Sequence, residues 1–150
     1  MIRIRGSYAE IAMPFTGEIP HGMLLWLDED LIKEWWNLSD VKIEPRPGGI
    51  FYLRWGRAAH KQAHAMYGIM DRIDVEANSF SVSKIIYVTG EGKMTDLHLD
   101  VSFVKISELS SIIRFRLSHQ FDHHTTALFK RVVMLSWPGT FRRFKEFAEV

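Results

Sequence analysis

Hydrophobic and polar positions alternate with period two over most of this chain and change to helical spacing in two places. Ile2 and Ile4 alternate with Arg3 and Arg5, and Ile11, Met13 and Phe15 resume the alternation after Gly6-Ser7, so residues 2–15 are expected to form an opening strand. Thr16-Gly-Glu-Ile-Pro20 breaks it. Met23, Leu24, Trp26, Leu27, Leu31, Ile32, Trp35 and Trp36 then fall at helical spacings, interrupted by Asp28-Glu29-Asp30, whose charge suits a helix N-terminus. The spacing predicts two short helices, over about 18–27 and 29–37.

From Val41 to His119 the pattern is a run of strands. Val41–Glu44 leads into Pro45-Arg-Pro-Gly-Gly49, a turn sequence, and Ile50–Trp55 follows with Phe51, Leu53 and Trp55 on one face. Residues 57–62 read as a loop, and strands are expected over 65–74, 80–88 and 94–106. The last has the clearest alternation, with Leu97, Leu99, Val101 and Phe103 opposite His98, Asp100 and Ser102. Ile113, Phe115, Leu117 and His119 share one face of the next strand.

The final segment is helical, with Asp122 as its cap and an apolar stripe through Leu128, Val132, Leu135, Phe141, Phe144 and Phe147. Pro138-Gly139 lies inside it. A proline there removes a helix hydrogen bond, so the expectation is a helix over 122–136 and a second limb over 138–148.

Composition narrows the class. The 150 residues are 47% hydrophobic with a net charge of +1, which excludes disorder and argues against a nucleic-acid binder relying on phosphate neutralisation. There is no cysteine, so thiol catalysis, disulfides and thiolate metal sites are excluded. No continuous apolar stretch approaches the ~20 residues of a membrane-spanning helix, nor follows the N-terminus as in a secretory signal. These features lead to the expectation of a cytoplasmic protein, not inserted in a membrane and not bound to nucleic acid.

Strand, two short helices, six strands and a long helix make an α+β chain: neighbouring strands pair antiparallel and the long helix covers the concave face. Within this order, Leu31-Ile-Lys-Glu-Trp-Trp36, Ile43-Glu-Pro-Arg-Pro-Gly-Gly-Ile-Phe51, Leu117-Ser-His-Gln-Phe121, and Trp137 with Phe141, Phe144 and Phe147 resemble motifs of the Bet v 1-like, START-related (SRPBCC) superfamily. Within it, the chain is similar to the family of the activator of the Hsp90 ATPase. Ser136-Trp137-Pro138 departs from the Gly-Trp usual there. The resemblance implies a helix-grip fold over residues 1–150 as one domain: a curved seven-stranded sheet around the long helix, with an apolar cavity between them.

Cavity-lining candidates follow from the alternation. They are Phe51, Leu53, Trp55, Leu97, Leu99, Val101, Phe103, Ile113, Phe115 and Leu117 on the sheet, under Met134, Trp137 and Phe141. The same pattern would equally build a plain core. Trp35 and Trp36 project about 100° apart on a helix, so one of them is expected at the cavity or its mouth. His119 shares the face of Phe115 and Leu117 and is a candidate rim imidazole, the alternative, and the favoured one, being a structural histidine with its hydrogen bonds satisfied. Tyr67, Tyr87 and Arg54 are further polar candidates, whereas Arg142, Arg143 and Lys145 read as a solvated basic patch.

His119, His123 and His124 cluster without the spacing of a metal motif, so neither metal nor cofactor is expected. No nucleophile elbow, phosphate-cradling loop or carboxylate pair is present, and no residue is assigned as catalytic. The first functional expectation is therefore enclosure of a hydrophobic small molecule (a lipid, polyketide or aromatic metabolite) without catalysis. The alternatives are a polyketide cyclase-like enzyme using the same cavity and a single-domain chaperone-interaction module similar to the Hsp90 activators. Edge strands leave room for self-association, a homodimer being one outcome.

Overall fold

The computed structural model describes residues 2–5, 8–56, 64–90, 92–108, 110–119 and 123–148, the side chains of 123–126 excepted. The elements run β1 (Ile2–Arg5), β2 (Tyr8–Phe15), α1 (Ile19–Leu27), α2 (Glu29–Trp35), β3 (Asp40–Ile43), β4 (Ile50–Trp55), β5 (His64–Asp74), β6 (Ser79–Thr89), β7 (Gly92–Ser107), β8 (Ser110–Ser118) and α3 (His123–Ala148). The strands pair antiparallel in one sheet of order β1-β2-β8-β7-β6-β5-β4-β3, and α3 lies against it in a helix-grip arrangement.

The sheet has eight strands, not seven, because the expected opening strand folds back on itself. Ile2 pairs with Ile11 and Arg5 with Tyr8, so residues 2–15 form a hairpin rather than one strand. β1 is an edge strand with Arg3 and Arg5 exposed, where charge discourages further strand pairing. The expected loop over 57–62 and the Asp122 cap lie outside the described residues. Asp28 does cap α2, its Oδ1 accepting from the amides of Asp30 and Leu31 at 3.0 and 3.1 Å.

Bulges bend the long strands. Register shifts fall between Val82 and Ile85 and between Ile85 and Tyr87 in the β6–β7 ladder, with Lys84 and Asp96 at φ of 53° and 58°. An unpaired extra residue raises local twist, and here it curls the sheet's centre. Helix α1 approaches that sheet closely at Gly22, where a Cβ would stand 2.6 Å from Cε2 of Phe103.

Helix α3 is continuous through Pro138, contrary to the division expected there. Pro138 and Met134, whose carbonyl loses its partner, are both exposed, so water can satisfy that carbonyl and the helix need not break. The buried stripe is Phe129, Val133, Trp137, Phe141, Phe144 and Ala148, not the line through Leu128, Val132 and Leu135. Leu135 is 79% exposed. The two stripes are one residue, about 100°, apart, and burying Phe129 and Trp137 places more apolar surface in the core than burying Leu128 and Leu135.

At one end the interior is filled. Trp26 stands among the rings of Trp35, Trp36, Phe115, Phe141 and Phe144 with centroids 5.1–6.2 Å away, and Phe15 packs edge-on to Phe103 at 5.1 Å. The Trp35 indole N–H donates to the Leu25 carbonyl at 2.6 Å, joining α2 to α1.

Candidate functional site

At the other end sheet and helix part around a cavity of about 390 Å³, partly open to solvent. Strands β4 to β8 supply its sheet side: Trp55 from the end of β4, His64 and Met66 from β5, Tyr87 from β6, Met94 and Leu97 from β7, and Phe115 and Leu117 from β8. Cross-strand pairing sets them side by side, Trp55 opposite His64, Met66 opposite Tyr87, and Tyr87 opposite Met94. Trp36 contributes from just past α2. Helix α3 lines the opposite wall with Phe129, Val132, Val133, Ser136, Trp137, Gly139, Thr140 and Arg143.

Adjacent tryptophans divide the work between the two ends. Trp35 is buried in the filled end, while Trp36, stacked on it at 4.9 Å and 13° between planes, reaches the cavity and meets Trp55 edge-on at 5.0 Å. Stacking lets both indoles stay in one aromatic cluster although their Cα–Cβ vectors diverge.

The polar part of the wall is a pair on the sheet and a row on the helix. Tyr87 Oη lies 3.3 Å from His64 Nδ1, and either can donate according to the imidazole tautomer. Tyr87 is 9% exposed, and burial pushes its phenol up to about 12, so it stays a neutral hydroxyl at neutral pH. On α3, Ser136 Oγ donates to the Val132 carbonyl at 2.6 Å and Thr140 Oγ1 to the Ser136 carbonyl at 2.9 Å. Their hydrogens are thus engaged by the helix itself. Arg143 follows Thr140 on the same side, since steps of four and three residues return to one helix face.

Of the candidates read from the sequence, Trp36, Trp55, Tyr87, Leu97, Phe115, Leu117 and Trp137 stand on the cavity wall. Trp35, Phe51, Leu53, Leu99, Val101, Phe103, Ile113 and Phe141 are instead buried core, apart from the lining. Met134 is 57% exposed on the outer side of α3, so it is not part of a roof. His119 is not a rim group: it is 5% exposed, packs edge-on to Phe129 with centroids 4.4 Å apart, and burial lowers its imidazole pKa. Tyr67 is exposed on the far side of the sheet beside Tyr52, and Arg54 lies between inward-facing Leu53 and Trp55.

Sequence reasoning missed His64, Met66, Met94, Phe129, Val132, Val133, Ser136, Gly139, Thr140 and the position of Arg143. The strand residues follow from Trp55 once the register is known, but bulges in β5, β6 and β7 shift parity along those strands. For the helix, the signal was the second apolar spacing through Phe129, Val133 and Trp137. No group of His, Cys, Asp or Glu placed to hold a metal occurs among the described residues, and no helix there is long and apolar enough to cross a membrane.

A family model described as "Activator of Hsp90 ATPase homolog 1-like protein" matches residues 24–148. Among solved structures, the chain is similar to a Rhodobacter sphaeroides protein at a TM-score of 0.76 and 12% identity, covering 97% of this chain and 95% of that one. It is also similar to protein NE0264 of Nitrosomonas europaea, at 0.74 and 11% identity over 98% and 97% of the two chains. DynU16, from the dynemicin biosynthetic locus, superposes at 0.71 and 7% identity over 97% of this chain and 48% of that one. No curated protein matches the sequence.

Proposed function

This chain belongs to the activator of Hsp90 ATPase homolog 1-like family, and from that footing we propose that it encloses an apolar or aromatic small molecule between sheet and long helix. One observation carries the reading: the aromatic interior closes at the Trp26 end and parts at the Trp55–Trp137 end, around about 390 Å³. That volume is in the range of small-molecule sites, roughly 300–1,000 Å³, and its wall is mainly apolar with a few placed polar groups. Burying an apolar ligand there contributes about 25 cal/mol per Å² removed from water.

The experiment is a thermal-shift screen of lipids, flavonoids and aromatic metabolites, repeated on Val133→Phe and Leu117→Phe, which narrow the cavity from opposite walls. A ligand at a hundred times its Kd adds about 2.7 kcal/mol, which at this chain size raises Tm by about 5–10 °C. The expected result is such a shift in the wild type, reduced in both variants. A screen without any shift removes the proposal.

The His64–Tyr87 pair favours a second reading, a cyclase-like enzyme in which the neutral phenol or the imidazole moves a proton on an enclosed substrate. The two readings separate on His64→Gln and Tyr87→Phe. Variants that bind as the wild type and turn over nothing point to the enzyme; variants that leave the bound ligand's fate unaltered point to the container.

A further inference from the structure

Among the described residues, the cavity wall carries one permanent charge. Among the described residues Arg143 lines it, no Asp or Glu does, and the guanidinium forms no ion pair with a carboxylate. Its neighbour Arg142 is exposed and takes no part in the wall. Ser136 and Thr140, on the same helix face, have given their hydrogens to helix carbonyls, so among the described α3 residues of the wall the charged side-chain donors are those of Arg143, beside the single neutral indole N–H of Trp137. The other ionisable groups of the wall among the described residues are His64 and Tyr87, the latter a neutral phenol; neither brings negative charge to the site.

Given that the cavity binds a small molecule, as proposed above, we infer that its ligand is an aromatic or aliphatic carboxylic acid: the apolar body lies among Trp36, Trp55, Phe115 and Trp137, and the carboxylate meets Arg143. A guanidinium matches a carboxylate with two parallel N–H donors, and its aliphatic stem can lie along an apolar wall while the head stays hydrated. Because Arg143 remains exposed, holding its charge there costs little without ligand. The same exposure limits the gain to that of a partly solvated pair.

The test uses naphthoate and naphthamide, which share the aromatic body and differ in charge, titrated calorimetrically into the wild type, Arg143→Gln, Arg143→Lys and Arg142→Gln. In the wild type naphthoate is expected to bind about tenfold more tightly than naphthamide, equivalent to about 1.4 kcal/mol. Arg143→Gln lowers naphthoate affinity far more than naphthamide affinity and so erases that preference, Arg143→Lys retains part of it, and Arg142→Gln retains all of it. Equal binding of the two ligands by the wild type overturns the inference and leaves the cavity proposal standing. Equal losses from Arg142→Gln and Arg143→Gln also overturn it, since the preference would then come from the diffuse charge of the helix end. If neither ligand binds the wild type and the thermal-shift screen is also blank, the cavity proposal itself fails.

Discussion

Gly22→Ala sets two effects of known sign against each other at the filled end of the interior. Replacing a helical glycine by alanine gains up to about 1 kcal/mol of helix stability. Against this, the new Cβ would stand 2.6 and 2.9 Å from Cε2 and Cζ of Phe103 and 2.8 Å from Cζ of Phe15. Neither ring has free space to retreat into: the two are packed edge to face at 5.1 Å, and Phe15 also stacks on Phe144 at 6.1 Å. Restoring ordinary contacts of about 3.5–4.0 Å therefore means lifting α1 or displacing both rings, and such overpacking costs about 1–3 kcal/mol. The expected net is a loss of about 1–2 kcal/mol, a fall in Tm of roughly 2–8 °C for a chain of this size. Urea unfolding followed by tryptophan fluorescence measures it, with the midpoint falling and the m-value unchanged. Gly139→Ala is the control: it is also in a helix, but its Cβ would have nothing within 4 Å, so that variant should be neutral to stabilising. A Gly22→Ala protein as stable as the wild type would refute the close approach of α1 to the sheet.

Three further outcomes follow from the same geometry. Burial raises the Tyr87 phenol to about 12 from 10.0, so its stabilising effect is present below pH ~10 and lost as pH climbs through the folded value; ultraviolet titration should show a late phenol ionisation that Tyr87→Phe removes. Burial lowers the pKa of His119, so the unfolded chain takes up the proton first and stability should fall as pH drops below ~6.5. Urea midpoints from pH 7 to 5 should decline less steeply in His119→Gln, and identical slopes would exclude that histidine as a source of acid sensitivity. Pro138→Ala returns an amide to the Met134 carbonyl on an exposed helix face and should stabilise by up to about 3 kcal/mol; calorimetric melting checks it, and a loss of stability would mean that the proline geometry is required by the fold.

The elements themselves were legible in the sequence because side-chain periodicity is local. β4, β7, β8, α1 and α2 begin and end within a few residues of where alternation and turn chemistry place them, and Leu97, Leu99, Val101 and Phe103 face inward as their pattern says. What failed had competing local solutions. The segment 2–15 could run straight or fold back between Arg5 and Tyr8, and pairing with its own second half decided it. In α3 two apolar stripes lay one residue apart, and the larger side chains took the core.

The candidate site was only half legible for a different reason. Alternation tells which residues face inward but not how far apart the facing surfaces stand. Phe115 and Phe141 both point inward, yet Phe141 meets other rings while Phe115 also borders open space. His64 and Tyr87 are 23 residues apart and come together through the register of β5 on β6, which bulges alter. Arg143 reads in the sequence as one of three solvated cations, and only the rotation of α3 against the sheet brings it, and not Arg142, to the wall.

By itself, then, the order of hydrophobic and polar residues determined that an antiparallel sheet and a long helix bury one aromatic-rich face, because apolar surface leaves water wherever periodicity allows it. Whether those aromatics meet or part, and which polar groups border the gap, was decided by strand register, bulges and helix rotation. Those are properties of packed surfaces, set by volumes and contacts between residues far apart in the chain.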